Sequence, residues 1–154
     1  MTFREIEQRD IPTLFHIRTS IDENTLSLRQ LAEMGITQES VHSRIVASCK
    51  GWLCETDDRA VGFAIGDKKT GEMWVIAVLP EYINRGIGSK LIVLVEEWLF
   101  SNGWPAIWLT TDIDDSLRAY TFYRKHGWKD KEIRNGTRYM IKKHVPNAPA
   151  DKKE

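Results

Sequence analysis

The sequence contains only two cysteines, Cys49 and Cys54. In a chain of 154 residues, two cysteines this close together cannot form the disulfide scaffold of a small secreted domain. No cysteines and histidines with zinc-ligand spacing surround them, so we predict no metal site. Both thiols are expected to be reduced and to pack in the core.

An excess of charge of one sign is also missing. Lys plus Arg and Asp plus Glu each number 22, so no global field attracts DNA, RNA or an anionic membrane. We therefore expect neither nucleic acid nor a membrane as a partner. No apolar run approaches the ~18 residues of a membrane span, and the first residues are charged where a secretory signal is apolar. A cytoplasmic protein is expected.

The hydrophobic fraction of 42% is enough to build one continuous core. We therefore predict a single domain over residues 1–144. The end of the chain, 145–154, combines prolines and charges with few apolar residues, and it is predicted to be disordered.

The hydropathy pattern alternates between helical and strand periods. Helices are predicted from Asp10 to about Ser20, Ser27 to Met34, Ser40 to Ala47, Gly86 to Ser101, and Asp114 or Asp115 to Lys125. Strands are predicted at Thr2–Ile6, Trp52–Glu55, Val61–Ile65, Met73–Leu79, Ala106–Thr110, Trp128–Arg134 and Thr137–Ile141.

A turn with two glycines joins the strand ending at Leu79 to the helix with the clearest period. We call the residues Asn84 to Ser89 the glycine turn. Glycine lets the backbone approach a ligand closely, and the free amides of a first helical turn favour negative charge. The pattern therefore indicates a phosphate site, with a simple tight connection as the alternative.

Two common phosphate motifs do not fit the glycine turn. A dinucleotide fingerprint needs a third glycine where Leu91 stands, and a P-loop needs Gly-Lys-Ser or Gly-Lys-Thr where the chain has Gly88-Ser89-Lys90. Both differences disfavour a nucleotide-binding protein of another type.

The segment Val78 to Gly88 resembles the signature of the GCN5-related N-acetyltransferase (GNAT) superfamily. In that family a strand, a Gln/Arg-x-x-Gly-x-Gly/Ala loop and a helix bind the pyrophosphate of coenzyme A. The chain departs once, since Ile83 stands where the family has Gln or Arg; the backbone amides remain, so the expected cost is in affinity. The resemblance implies that the cofactor is bound by Ile83, Asn84, Arg85, Gly86, Ile87, Gly88 and Ser89.

The resemblance also implies an α/β (α+β) fold. Its sheet is mixed, mostly antiparallel and twisted, with six to seven strands, flanked by about four helices and splayed at the strand pair that binds CoA. The pantetheine arm of CoA is then expected to pair as a pseudo-strand with Ile76-Ala77-Val78, through the backbone of Ile76 and Val78.

A second segment, from Ala119 to Trp128, resembles the family's Ala-x-x-x-Tyr-x-x-x-Gly-Phe pattern. The resemblance implies that Ala119 lets the helix pass close to the cofactor and that Tyr123 protonates the departing CoA thiolate. A phenol with an ordinary pKa of ~10 keeps the required proton at neutral pH. A core aromatic is the alternative for Tyr123, and Tyr120 is a second candidate donor. Ser116 stands where the family often has an asparagine that contacts the cofactor.

An acceptor amine must lose a proton before it attacks a thioester. One position where the family often has a glutamate base falls on Glu72, at the start of a predicted strand. The alternatives are a solvated glutamate in a turn beside Gly71 and a water relay along the strand.

The two motifs together predict an N-acetyltransferase that uses acetyl-CoA and no metal. The acceptor is left open as a primary amine of a small molecule or a protein, and so is a homodimeric assembly. A catalytically silent CoA-binding module is the alternative function. The resemblance places the acceptor pocket among the first helices, where Arg18–Asn24 is rich in groups that pair with amines or carboxylates. Phosphate contacts are also open to Arg85, Lys90, Arg124 and Lys125, with solvated surface charges as the alternative.

Overall fold

The computed structural model describes residues 1–146 of the chain, which form seven strands and five α-helices. The strands are β1 (Thr2–Glu5), β2 (Cys49–Thr56), β3 (Arg59–Asp67), β4 (Glu72–Val78), β5 (Ala106–Asp112), β6 (Lys129–Arg134) and β7 (Thr137–Lys143). The helices are α1 (Ile11–Arg18), α2 (Leu28–Glu33), α3 (Gln38–Ala47), α4 (Ile87–Ser101) and α5 (Arg118–Lys125). Every predicted element is present, although several ends differ by a few residues.

The strands form one sheet in the order β1-β2-β3-β4-β5-β7-β6. All neighbours are antiparallel except β4 and β5, which are parallel. That pair is in register only where Glu72 lies beside Trp108, whereas β5 and β7 pair from Ala106 to Asp112. The sheet therefore opens between β4 and β5, which confirms the predicted mixed sheet with a splayed strand pair.

Helix α4 covers one face of the sheet. Its stripe of Leu91, Val95 and Leu99 is fully buried, and each such side chain contributes ~1.5–3 kcal/mol by leaving water. Strand β3 has a glycine beneath this stripe, because a Cβ at Gly66 would lie 2.7 Å from Cγ1 of Val95. This close packing sets how near α4 lies to β3.

Helices α1 and α3 lie on the opposite face. Phe63 and Ile65 alternate along β3 with Gly62, whose missing Cβ faces Ile87 of α4, so these two side chains point away from α4. They line a cavity together with Leu14 of α1 and Val41 of α3. The sheet is thus a middle layer with helices on both sides.

Two aspartates predicted as helix caps make no capping hydrogen bond, although Asp10 does occupy the N-cap position of α1. The carboxylate of Asp10 does not cap α1; it accepts a hydrogen bond from the Glu7 amide at 2.7 Å and pairs with Arg4 at 2.9 Å. Helix α5 starts at Arg118 rather than after Asp114, because the Asp114 carboxylate instead accepts from the amide of Ser116 at 3.0 Å within a turn. Long-range partners and local turns compete for aspartates that a sequence pattern assigns to caps.

Both cysteines lie buried on β2 as free thiols, in agreement with their predicted packing role. Burial raises the pKa of the Cys49 thiol to about 11, so the thiolate is scarce at neutral pH. None of the helices in residues 1–146 combines the length and apolarity that crossing a bilayer requires. Of the predicted disordered tail, residues 147–154 lie outside the described part of the chain.

Candidate active site

The glycine turn presents the first amides of α4 without a side-chain cap. Asn84 and Gly86 are both left-handed, with φ of 68° and 81°, and Gly86 occupies the N-cap position. The first helical hydrogen bond runs from the Lys90 amide to the Gly86 carbonyl at 3.1 Å. The amides of Ile87, Gly88 and Ser89 therefore have no helical acceptor, and the dipole of α4 adds positive potential there.

Glycine is required for a different structural reason at each of the two positions, Gly86 and Gly88. A Cβ at Gly86 would meet nothing within 4 Å, so its left-handed backbone is what requires glycine. A Cβ at Gly88 would lie 3.3 Å from the ring of Phe122, so Gly88 lets α5 pack against α4. Close approach to a ligand, the reason inferred from the sequence, is thus not needed to explain Gly88.

The side chains around the turn are already engaged with the protein. The Ser89 hydroxyl lies 3.0 Å from Nε2 of His126, at the end of α5. The guanidinium of Arg85 stacks over Tyr82 at 4.9 Å. Ile83 is half-buried and extended, and it contributes no polar group. The backbone amides of this turn are therefore the groups left available to an anion.

Beside the turn, the edge of β4 that faces β5 is open. The Leu79 amide donates to the Val61 carbonyl of β3 at 2.8 Å. Backbone groups of successive strand residues point to alternate edges, so those of Ala77 also face β3 and those of Ile76 and Val78 face the gap. The geometry suits the predicted pseudo-strand at Ile76 and Val78, whereas the backbone of Ala77 is used within the sheet.

A β-bulge near the start of β4 changes which side chains face the cavity. Val75 pairs with Ile65 and Met73 pairs with Gly66, which leaves Trp74 as the extra residue. Because a bulge interrupts the strict alternation of side chains, Glu72, Trp74 and Val75 all line the same cavity. The periodicity of the sequence gives no sign of this bulge.

The cavity measures about 480 Å³ and lies on the α1 and α3 side of the splayed strands. Its walls are mainly apolar and come from α1, α2, α3, β3 and β4. Three charged side chains also line it, Arg18, Glu72 and Asp112. A cavity with apolar walls and a few polar groups is typical of a small-ligand site.

Glu72 is not the solvated turn residue that the sequence allowed as an alternative. It begins β4, it is half-buried, and it lines the cavity. Burial raises the pKa of its carboxyl, and the nearby charge of Arg44 opposes that rise. A carboxylate with increased proton affinity beside a cavity is well suited to accept a proton.

Tyr123 lies in α5 with only 7% of its surface exposed, and it packs against Trp128. Burial raises the pKa of Tyr123 to about 12, and the charge of Arg18 opposes that rise. The phenol therefore stays protonated. Its burial is equally typical of the core aromatic that the sequence allowed.

The other candidates on and near α5 are differently placed. The Tyr120 hydroxyl donates to the Asp130 carboxylate at 2.8 Å, which leaves it poorly suited as a second donor. The Ser116 hydroxyl donates to Asp114 at 2.6 Å and can only accept from a ligand. Ala119 is half-buried in the first turn of α5. Tyr123 itself does not line the cavity that holds Glu72.

The segment Arg18–Asn24, which starts at the last residue of α1, contains residues with different contacts. Asp22 pairs with the Arg118 side chain, and Glu23 accepts a hydrogen bond from the Arg118 amide at 2.8 Å. These acids therefore anchor the loop to α5 and are not available to an amine. Arg18, in contrast, faces the cavity, and the sequence offered no means to distinguish it from its neighbours.

Solved structures with a similar fold are N-acetyltransferases. The PaiA N-acetyltransferase of Thermoplasma acidophilum in complex with coenzyme A has a TM-score of 0.80 at 19% identity, over 94% of this chain and 100% of the other. The ribosomal-protein-S18-alanine N-acetyltransferase of Escherichia coli has a TM-score of 0.73 at 18% identity, over 97% and 98%. At these identities the likeness concerns the fold.

Curated relatives share less of their length with this chain. An amino-acid acetyltransferase of Pseudomonas syringae pv. syringae is 25% identical over 84% of this chain, which spans 28% of that relative. The mycothiol acetyltransferase of Streptomyces griseus subsp. griseus is 30% identical over 53% of this chain and 28% of its own length. An uncharacterised N-acetyltransferase of Methanocaldococcus jannaschii is 28% identical over 60% of this chain, which spans 44% of that relative.

A family model matches more than half of the sequence. The acetyltransferase (GNAT) family model matches residues 11–128, from the first residue of α1 to the residue after Gly127. The matched range contains the glycine turn, the splayed strand pair and Tyr123. The chain therefore belongs to the acetyltransferase (GNAT) family.

Proposed function

We propose that this protein transfers an acetyl group from acetyl-CoA to a primary amine. The observation that carries the proposal is the open edge of β4 beside the uncapped first turn of α4. An extended arm pairs with such an edge, and a pyrophosphate suits free helix amides. CoA joins an extended pantetheine arm to a pyrophosphate, so one ligand satisfies both features.

The cavity beside this edge supplies the acceptor side of the reaction. Glu72 takes a proton from the ammonium form of the acceptor, directly or through water. The amine nitrogen then attacks the thioester carbonyl, an N–C bond forms, and the C–S bond breaks. The attacking nitrogen releases its second proton through water while Tyr123 donates its own proton to the departing thiolate. The released proton restores the phenol, so the products are an amide and free CoA. Neither cysteine is required as a nucleophile, since both are buried on β2.

The comparisons support more than one kind of acceptor. Relatives named for amino acids and for mycothiol suggest a small molecule, whereas a structural neighbour named for a ribosomal protein suggests a protein amine. The cavity of about 480 Å³ has room for a small amine or for the end of a peptide. Both classes fit the chemistry of Glu72.

A CoA-binding module without turnover is the second candidate function. Ile83 favours it, because the turn lacks the polar side chain that the family motif has there. The presence of Tyr123 favours the enzyme, because binding CoA alone needs no proton donor. The enzyme releases CoA from acetyl-CoA when an amine is present, whereas the silent module binds CoA without such release.

An assay of thiol release from acetyl-CoA over a panel of amino acids, diamines and peptides separates the two functions. The proposal expects release that depends on the amine and saturates with it. Saturable CoA binding without release for any amine would favour the silent module. Stabilisation by NAD or ATP but not by CoA would contradict both.

A further inference from the structure

Arg18 is unusual among the arginines of residues 1–146. Arg18 and Arg85 are the ones that have no carboxylate within 4.0 Å. Each of the others forms an ion pair, namely Arg4, Arg9, Arg29, Arg44, Arg59, Arg118, Arg124, Arg134 and Arg138. Arg85 lies exposed in the glycine turn, so Arg18 is the partly buried arginine that remains without a counter-ion.

Partial burial makes it energetically unfavourable for the Arg18 guanidinium to lack an ion-pair partner. Its guanidinium is half-buried in the cavity wall, and burial lowers its pKa. One hydrogen bond is made, from Nη1 to the carbonyl of Asn24 at 3.2 Å. A guanidinium has five N–H donors in a fixed plane and binds a carboxylate with two of them. A desolvated cation of this kind is poised for an anionic group.

Glu72 lines the same cavity, yet the two opposite charges do not form an ion pair. Their charged atoms are therefore more than 4.0 Å apart. A ligand with a positive and a negative end can therefore lie between Glu72 and Arg18. The apolar walls, which include Phe15, Leu31 and Val41, are available to the rest of that ligand.

The anionic end of the ligand must lie close to the reacting amine. Arg18 is near enough to Tyr123 for its charge to oppose the burial of the phenol, and Tyr123 is the proposed donor to the leaving thiolate. An α-amino acid has its carboxylate one carbon away from its amine. A diamine has a second positive charge instead, and the N-terminus of a peptide has a neutral amide in the carboxylate position.

We propose that the acceptor is a free α-amino acid with an apolar side chain, whose carboxylate binds Arg18 and whose amine faces Glu72. This assignment rests on the proposed function, because it concerns the acceptor of that same reaction. Asp112 also lines the cavity, and its Oδ1 accepts from the Asp114 amide at 2.8 Å. A diamine held by Glu72 and Asp112 is the competing occupant that the test must separate.

The test compares ligands that differ only in the carboxylate. Calorimetry with CoA-saturated protein measures the affinity for L-leucine, L-leucinamide and 1,4-diaminobutane, after the affinity for CoA itself has been recorded. We expect L-leucine to bind at least about tenfold more tightly than L-leucinamide, the effect of one charge-assisted pair. Arg18→Ala should remove this difference and Arg18→Lys should retain part of it. Arg29→Ala, which alters an exposed pair on α2, should leave it unchanged.

The selectivity ratio separates a ligand contact from a structural effect of Arg18. Equal affinity for L-leucine and L-leucinamide, tighter binding of the diamine, or no binding of any of the three would overturn the amino-acid assignment. An equal loss of affinity for both leucine compounds in Arg18→Ala would overturn the role of Arg18. If CoA still binds normally, none of these results contradicts the proposed acetyl-CoA site. Failure to bind CoA would instead contradict the proposed function, and the assignment with it.

Discussion

Burial affects both residues that we propose for proton transfer, Glu72 as the base and Tyr123 as the acid. It raises the pKa of Glu72, which increases the proton affinity of a base, and it raises the pKa of Tyr123 to about 12, which keeps an acid protonated. The charges of Arg44 and Arg18 limit these rises. Burial thus favours both proposed roles, because the carboxyl gains proton affinity and the phenol keeps its proton.

The first prediction concerns the pH dependence that Glu72 imposes. Because its pKa is raised, kcat/KM should fall as pH falls, at a pH above the ordinary glutamate pKa of ~4.3. Glu72→Gln should lower kcat by ~100-fold and remove this acidic limb. The measurement compares both proteins on the same amine, so that ionisation of the amine cancels, with the exposed Glu97→Gln as the control. An unchanged acidic limb in Glu72→Gln would exclude Glu72 as the base.

The second prediction concerns the donor. Tyr123→Phe removes the proton that the thiolate takes, so kcat should fall by ~100-fold while the affinity for CoA changes little. Tyr120→Phe is the matched control, because its hydroxyl is held by Asp130. Steady-state thiol release and CoA calorimetry give the two values. If Tyr123→Phe turned over at the parent rate, or if Tyr120→Phe were the slow variant, the donor would be misassigned.

At the scale of elements, the site depends on three connections that bring distant parts of the chain together. The packing of Ile87 on Gly62 positions the glycine turn, and Glu23 holds the loop between α1 and α2 on the first amide of α5. The bulge at Trp74 directs Glu72 and Val75 to one cavity. None of these contacts is local, and each positions a group of the candidate site.

The third prediction separates the conformational role of Gly86 from its binding role. Gly86 and Gly103 lie just before and just after α4, with φ of 81° and 94°, and an added Cβ meets nothing within 4 Å at either position. Alanine at each should therefore cost a similar ~1 kcal/mol of strain in the free energy of unfolding. Only Gly86→Ala should also weaken CoA binding, because it distorts the uncapped amides.

Urea unfolding and CoA calorimetry on the two variants test this prediction. Normal CoA affinity in Gly86→Ala would show that the turn does not hold the phosphates. A loss of affinity in both variants would indicate a general effect of instability.

At the scale of the whole molecule, the sequence predicts features that depend on short segments. The glycine turn, the helix after it and every strand follow from patterns within a few residues, and the order of the two motifs indicates the family. The helix start at Asp10 is confirmed, but its carboxylate binds Arg4 and does not cap the helix. The start at Asp114 was wrong, because that carboxylate accepts a hydrogen bond from the Ser116 amide within a turn.

The acceptor cavity could not be derived in the same way. It depends on which side chains of α1, β4 and β5 meet after folding, and on a bulge that hydropathy does not reveal. Only the structure shows that Arg18 has no ion-pair partner within residues 1–146 and can bind a ligand. It also shows that Asp22 and Glu23 are paired with Arg118.

The most direct test of the proposed site is a crystal structure of the protein with CoA. We predict pyrophosphate oxygens within hydrogen-bond distance of the amides of the glycine turn, and the pantetheine arm paired with the backbone of Ile76 and Val78. The thiol should lie near the Tyr123 hydroxyl, at the opening between β4 and β5. CoA bound away from this opening, or a pyrophosphate that contacts none of the amides of Ile87, Gly88 and Ser89, would contradict the assignment.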